Sequence, residues 1–175
     1  MGTPNVENVR IGAVSVVLDG VNLGHSKDGV EFEFTREFED LHVDKYGKTP
    51  VEIALTGNDL KVKLYLAEIT QDNWAVANPE GEVASGDLGD RLGFGDDAGT
   101  LMSDLAGELV LHPLKNAAND YSEDIHVYKA VSVGSTNLGY KIDEQRIFEL
   151  EMRAIVDETK PKGRRLGHVG PTEIS

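Results

Sequence analysis

Residues 14–70 have the sequence VSVVLDGVNLGHSKDGVEFEFTREFEDLHVDKYGKTPVEIALTGNDLKVKLYLAEIT. Four short runs in this stretch alternate apolar with polar residues, over residues 14–18, 30–35, 51–55 and 60–69. Because successive side chains of a β-strand point to opposite faces, a period of two predicts a strand with one buried face. The stretch therefore predicts a half-buried antiparallel sheet in a mainly β protein.

Turn signals separate these predicted strands. The dipeptides Asp19-Gly20 and Asp28-Gly29 favour the positive φ angles of tight turns, and the first of them predicts a hairpin. The sequence TGND at residues 56–59 predicts a tight hairpin between the third and fourth strands. Residues 36–50, REFEDLHVDKYGKTP, are too long for a tight hairpin, so we expect a long inter-strand loop that contacts another molecule.

One short helix is predicted after these strands, over residues 70–79. Thr70 can cap its N-terminus, Ile69 and Trp74 have the spacing of a hydrophobic staple, and Pro79 ends it. We expect Trp74 to pack this helix against the sheet.

The second half of the chain is more acidic and less regular. Residues 80–124 hold eleven acidic residues against Arg91 and Lys115, a local charge of −9 out of −14 for the whole chain. We expect strands at residues 100–111, 124–133 and 139–156. The irregular segments are an N-terminal arm at residues 1–12, an acidic glycine-rich loop at residues 80–100 and an extended tail at residues 157–175.

Length and composition are those of one soluble globular domain, residues 1–175. With 31 acidic and 17 basic residues, the chain is expected to repel polyanions on balance. An acidic surface can nevertheless serve a protein that lets a polyanion slide past without binding it. The absence of cysteine excludes disulfides and thiolate zinc sites. We expect neither a membrane span nor a secretory signal.

No pattern in the sequence indicates catalysis. The histidines lack metal-binding spacing, the acidic residues from 87 to 97 do not follow the calcium-loop pattern, and no serine has a nucleophile-elbow context. We therefore expect no enzyme activity, no cofactor and no metal. The histidines without metal-binding spacing are His25, His42, His112, His126 and His168, and the serines without a nucleophile-elbow context include Ser15, Ser26, Ser85, Ser103 and Ser122.

The sequence of residues 13–78 resembles the major tail tube proteins of long-tailed bacteriophages. Three segments carry the resemblance: DGVNLGHSKDGVEFEF, FEDLHVDKYGKTPVE, and LTGNDLKVKLYLAEIT leading into the helix. The most specific motif is D-x-x-V-D-x-Y-G-x-T-P, at residues 40–50.

The resemblance implies a two-sheet β-sandwich or barrel-like subunit with one flanking helix, long loops and extended termini. It implies hexameric rings stacked into a hollow tail tube, through which DNA passes without specific binding on its way to the host. The implied partners are further copies of the chain, the tape measure, terminator and baseplate proteins and, in a contractile tail, a sheath. The location would be the virion tail, assembled in the host cytoplasm.

The resemblance also suggests roles for particular residues. Contacts between subunits or rings are assigned to Asp40, Leu41, His42, Val43, Asp44, Lys45 and Tyr46. Candidates for the lumen wall are Glu31, Glu33, Glu149 and Glu151. If the second and fourth predicted strands share a sheet, Lys61 and Lys63 could stand near Glu31 and Glu33.

Two alternatives remain open at this point. One is a tail terminator, neck or baseplate protein that forms a single closed ring without polymerising. The other is a β-sandwich ligand-binding module that stacks sugars on aromatic rings, for which the candidates are Trp74, Tyr121, Tyr128 and Tyr140.

Overall fold

A computed structural model describes residues 12–95, 98–140, 142–143 and 145–172. The described residues are mainly β, with 46% strand and 8% helix, and form two antiparallel sheets in a sandwich-like arrangement with a single short α-helix. These observations confirm the fold class predicted from the sequence. The strands are β1 (Val14–Leu18), β2 (Val21–Asn22), β3 (Ser26–Leu41), β4 (Glu52–Leu66), β5 (Val83–Gly86), β6 (Gly89–Leu92), β7 (Gly107–Pro113), β8 (Ile125–Ser132), β9 (Asn137–Leu138), β10 (Phe148–Ala154) and β11 (Gly167–Val169). The helix is α1 (Gln71–Ala77), and two 3-10 turns cover Asp44–Tyr46 and Met102–Asp104.

The larger sheet has nine strands, and β8 lies at its centre. Its main path runs β2-β1-β7-β8-β10-β4-β3, with β9 paired to β10 and β11 paired to β8. One edge of β8 is shared, because Ala130–Ser132 pair with β10 while Ile125–Val127 pair with β11. Strands β5 and β6 form the separate two-stranded sheet.

The core is built from the strand period of two. Leu60, Val62, Leu64 and Leu66 of β4 are buried in alternation with partly exposed residues. Buried residues from the other strands join them in one cluster, including Val16 of β1, Leu109 and Leu111 of β7, Val127 of β8, and Phe148, Leu150 and Met152 of β10. Burying each of the large side chains contributes roughly 1.5–3 kcal/mol.

Three local predictions are confirmed. Asp19 and Gly20 have φ of 47° and 82°, and they join β1 to β2 as a two-residue hairpin loop with positive φ at both positions. Thr70 caps α1, since its side chain accepts a hydrogen bond from the Asn73 amide at 3.2 Å. Trp74 packs edge-on against Phe148, with ring centroids 4.9 Å apart, as expected.

The predicted hairpin at residues 56–59 is wrong, because these residues lie inside the single long strand β4. Between the pairs Glu37↔Gly57 and Phe38↔Leu55 the register shifts by one residue, which makes Thr56 a bulge. Leu55 and Leu60 are five residues apart and would otherwise point to opposite faces. The bulge returns both to the same face, so the turn-forming residues act as a register correction.

The predicted loop at residues 36–50 begins too early in the chain. Residues 36–41 belong to β3, and the connection to β4 begins only after Leu41. Asp28 and Gly29, predicted as part of a turn, lie in an irregularity of β3 between Ser26 and Val30, where φ is 67° and 88°.

Several boundaries in the second half also differ from the prediction. The strand predicted at residues 100–111 starts at Gly107, after a 3-10 turn, and the one at residues 139–156 covers only Phe148–Ala154. The prediction of β8 is confirmed. The acidic segment at residues 80–100 contains the β5–β6 hairpin, and the tail at residues 157–175 is not simply extended because β11 pairs with β8. Residues 1–11 of the predicted N-terminal arm lie outside the described residues.

Candidate assembly surface

The hairpin arm, residues 34–59, is the part of β3 and β4 that extends beyond the core. Strand β10 pairs with β4 only from Lys61 to Leu66, so beyond Lys61 the ladder has two strands. At about 3.3 Å per residue, the strand portion of the arm from residue 34 to residue 41 is roughly 25 Å long. No residue of the arm is buried.

One face of the hairpin arm carries four exposed apolar side chains, with Arg36 and Asp40 among them. Phe38 and Leu55 lie directly opposite each other, with exposures of 58% and 53%. Phe34 is 45% exposed and Ile53 is 57% exposed. Alternation along β3 puts Glu37 and Glu39 on the other face. A two-stranded ribbon is only marginally stable alone in water, and exposed apolar patches are a common feature of interaction surfaces.

The end of the arm contains all seven residues predicted to make subunit contacts. Asp40 and Leu41 end β3, His42 and Val43 follow, and residues 44–46 form a 3-10 turn. The connection is held by its own backbone, since the Tyr46 amide donates to the Val43 carbonyl at 3.0 Å. All seven residues are exposed, and the large side chains Leu41, Val43 and Tyr46 are 46%, 44% and 55% exposed.

The four carboxylates predicted for the lumen lie on one face of the β3–β4–β10 sheet. The register places Glu31, Lys63 and Glu151 in one row and Glu33, Lys61 and Arg153 in the next. The expected proximity of Lys61 and Lys63 to Glu33 and Glu31 is therefore confirmed. The fourth carboxylate, Glu149, lies opposite Tyr65.

This face, called the charged face below, carries cations as well as carboxylates. Lys61 Nζ lies 3.8 Å from both Asp59 Oδ2 and Glu151 Oε1. Arg153 Nε donates to Asp59 Oδ1 at 2.7 Å. Five carboxylates, including Asp59, thus stand beside three cations, and the excess negative charge is smaller than the four glutamates alone would give.

The C-terminal strap, residues 163–170, lies along the free part of the β8 edge. The Tyr128 amide donates to the Leu166 carbonyl at 3.2 Å, and the Gly170 amide donates to the Asp124 carbonyl at 2.8 Å. Gly167 approaches β8 so closely that a Cβ there would clash with the His126 carbonyl oxygen. At the other end, Asp157 closes the preceding turn, since its amide donates to the Arg165 carbonyl at 2.9 Å. A hydrogen bond from the Thr159 hydroxyl lowers the pKa of Asp157.

A groove of about 570 Å³, called the strap groove, separates the strap from the root of the hairpin arm. Its apolar lining includes Phe32, Phe34, Leu60, Ile125, Val156 and Leu166. Arg164 and Arg165 also line it. The groove is therefore continuous with the apolar face of the arm, which begins at Phe34.

Two stacked histidines fix the strap beside this groove. The rings of His126 and His168 are 4.6 Å apart and nearly parallel, and His126 Nδ1 lies 3.3 Å from Glu108 Oε1. Both ring nitrogens of His168 are buried without a hydrogen-bond partner. Burial lowers the pKa of His168, and electrostatic interactions with His126, Arg164 and Lys160 lower it further, while Glu108 raises it.

The remaining polar groups include one short histidine–aspartate contact and no metal site within the described residues. His112 Nδ1 lies 2.7 Å from Oδ1 of Asp124, which is 2% exposed, and this pair joins β7 to the start of β8. No group of three or more histidine, aspartate or glutamate side chains in the described part could hold a metal ion.

The four aromatic rings proposed for sugar stacking have different surroundings. Trp74 contacts Phe148 and Phe94, Tyr121 contacts His112, Tyr128 lies under Lys160, and Tyr140 lies under Arg146.

Sequence reasoning placed the end of the arm among the contact residues but missed its shaft and the strap groove. Phe38 fell in the predicted loop at residues 36–50, and Ile53 and Leu55 look like core residues, because alternation alone does not show where a core ends. Residues 160–165 contain four cations and no acidic residue, and this local positive charge is the sequence feature that could have indicated the strap side of the groove.

The described residues contain no helix with the length and apolar character needed to cross a membrane. Comparison with models of known protein families gives no match, and comparison with curated proteins gives no significant match. Function is therefore inferred from the hairpin arm, the charged face and the sequence resemblance.

Proposed function

We propose that this protein is a structural subunit that assembles into stacked hexameric rings and forms the hollow tail tube of a long-tailed bacteriophage. The observation that carries the proposal is the hairpin arm, a long ribbon with an exposed apolar face. The motif that resembles tail tube proteins lies at the end of this arm, at residues 40–50.

Assembly would explain how the arm is stabilised. Burying Phe38, Ile53 and Leu55 against another subunit would remove apolar surface from water at about 25 cal/mol per Å². Aromatic and large aliphatic anchors supply most of the energy of protein interfaces, while the charges around them contribute less. Tyr46 and Leu41 are the anchors proposed at the end of the arm.

The long edge of the sheet supports the same proposal. Strand β3 is sixteen residues long and ends the strand order of the main sheet. An unpaired strand edge of this length can form hydrogen bonds with a strand of another chain. Most proteins prevent such pairing with charged residues on the edge, except where assembly depends on it. A ring in which each subunit adds to the edge of the next would use it.

The charged face is the proposed wall of the channel. It has five carboxylates and three cations, and the whole chain has a net charge of −14. A wall with excess negative charge repels DNA phosphates at short range, and the ion pairs of Lys61 and Arg153 reduce the number of sites where phosphate could bind. DNA could then pass without being held.

Negative-stain microscopy of the purified full chain tests the proposal, with and without a tail initiator complex. Tubes with a central channel are the expected result. Single rings that never stack would favour the terminator, neck or baseplate alternative. Monomers alone at high concentration and no tube with the initiator would refute both.

A further inference from the structure

The strap groove is apolar inside and exposed. Phe32 and Phe34, which line it, are 39% and 45% exposed, and Val156 is 50% exposed. The strap leaves this groove open although it is itself fixed to β8 by backbone hydrogen bonds. An open apolar groove beside a fixed strap is suited to receive a side chain or a strand from outside.

The strap side of the groove is the basic part of an acidic protein. Lys160, Lys162, Arg164 and Arg165 have no acidic residue among them. Arg164 is exposed, lines the groove and forms no ion pair with any described residue. The groove thus combines apolar surface with a cation that no described acidic side chain pairs, and a complementary ligand would combine apolar side chains with carboxylates.

The β3 side of the hairpin arm has that composition. Residues 37–44, EFEDLHVD, contain four carboxylates and no lysine or arginine. Phe38, Leu41 and Val43 in the same segment are 58%, 46% and 44% exposed. The arm starts at the groove of its own subunit and extends away from it, so an arm that fills a groove must come from another copy.

The other exposed hairpin fits less well. Leu88 at the β5–β6 turn is fully exposed, but this hairpin is held against its own subunit, where Gln71 Nε2 donates to the Asp90 carbonyl at 3.3 Å. The segment from residue 87 to residue 90 also offers only that one large apolar side chain. The arm has three within residues 37–44, together with four carboxylates.

We infer that the strap groove of each subunit binds the hairpin arm of a neighbouring copy, with Phe38 and, at the end of the arm, Val43 in the groove and Asp40, which shares the face of Phe38, beside Arg164. The inference rests on the proposed assembly and specifies the acceptor surface for the arm. Donor and acceptor are different surfaces of one chain, so the contact is head-to-tail and can close into a ring or continue along a filament.

Disulfide trapping tests the inference directly, because the chain has no cysteine. Val43→Cys and Val169→Cys are prepared as separate full-length proteins of different tag size, mixed and oxidised. Val169 lines the groove and is 68% exposed, and Val43 is also exposed, so neither substitution disturbs the core. We expect a reducible mixed dimer of the two proteins, and little of it when Leu88→Cys replaces Val169→Cys as a matched exposed control.

A charge exchange provides the second measurement. Arg164→Glu is expected to raise the concentration needed for assembly about three- to tenfold, since it places like charges together, and adding Asp40→Lys should restore much of the loss. Tubes with neither the mixed dimer nor this dependence on Arg164 would overturn the inference while the proposed function stands. Disulfides only between two Val43→Cys arms would overturn it in favour of arm-to-arm contacts. A protein that stays monomeric and forms no mixed dimer would refute both.

Discussion

Phe34 and Leu60 lie directly opposite each other in the β3–β4 ladder, yet Leu60 is 5% exposed and Phe34 is 45% exposed. The two residues mark the point where the core ends and the hairpin arm begins. The apolar face continues past them to Phe38, Leu55 and Ile53 without a core to cover it. The same strand pattern therefore serves folding on one side of this point and, in our proposal, assembly on the other.

Tyr46→Ala is expected to leave a folded subunit that fails to form tubes. The side chain is 55% exposed, so the fold loses little when it is removed, whereas an interface would lose an aromatic anchor. Circular dichroism and negative-stain microscopy would measure the two effects. Tyr140→Ala is the control, because Tyr140 is 70% exposed and lies outside the arm, and normal tubes from Tyr46→Ala would remove the role assigned to the end of the arm.

Phe148→Ala and Phe38→Ala are expected to separate stability from assembly. Phe148 is fully buried, so its truncation should cost about 3–5 kcal/mol of the free energy of unfolding. Phe38 is 58% exposed, so its truncation should change that free energy by less than about 1 kcal/mol in the monomer. Urea unfolding at low protein concentration measures both, and a loss of several kcal/mol in Phe38→Ala would show that the arm packs on its own subunit.

Asn73→Ala is expected to destabilise the protein by about 1–3 kcal/mol. Asn73 is 1% exposed, and its Nδ2 donates to the carbonyls of Leu23 and Glu68 at 3.2 and 2.8 Å, which would lose their partner. Chemical unfolding compared with Asn78→Ala provides the check. Asn78 makes a single side-chain bond to the Trp74 carbonyl, so we expect a smaller effect there, and equal losses would contradict the role assigned to Asn73.

The attachment of the C-terminal strap is expected to weaken as the pH falls below about 6.5. The ordinary pKa of histidine is about 6.5, and burial is the main cause that lowers the pKa of His168 in the folded state below this value. At pH values between the folded-state and unfolded-state pKa, the unfolded chain therefore binds more protons than the folded chain. The stabilisation is thus present above about pH 6.5 and is lost on acidification. His126, Tyr128 and Glu108 face His168 from the sheet or lie beside its stacked partner, and Lys160 and Arg164 add positive charge.

Hydrogen exchange at the Tyr128 and Gly170 amides, compared at pH 7.5 and 5.5 after correction for intrinsic rates, measures this effect. His168→Phe should remove much of the extra opening at low pH. His25→Phe is the control, because the His25 side chain is 89% exposed. Protection that does not depend on pH in the unmodified protein would contradict the expected effect of His168.

The features that the sequence predicted correctly depend on residues that are close together in the chain. The alternation of residues 60–66, the Asp19-Gly20 turn and the Thr70 cap each follow from local stereochemistry, and each is confirmed. The TGND segment shows the limit of such signals, since pairing with β3 on both sides of Thr56 converted a turn pattern into a bulge. The residue pattern of one strand does not show how that strand pairs with another.

The missed parts of the candidate surface depend on distant contacts. Strand β11 has only three residues, Gly167, His168 and Val169, which is too short for a period of two to be recognised. It forms because residues 125–127 of β8 have a free edge, more than thirty positions earlier in the chain. The groove beside it could not be predicted until both segments were placed.

Sedimentation velocity of the unmodified protein and of a Phe38→Ser/Ile53→Ser variant, across rising concentration, tests most directly whether the hairpin arm drives assembly. Leu88→Ser/Val83→Ser provides a control with two exposed apolar residues removed from the β5–β6 hairpin. We expect rings and larger polymers from the unmodified protein and from the control, and a folded monomer from the arm variant at every concentration. Equal assembly by the arm variant, or a monomer throughout for the unmodified protein, would contradict the proposal.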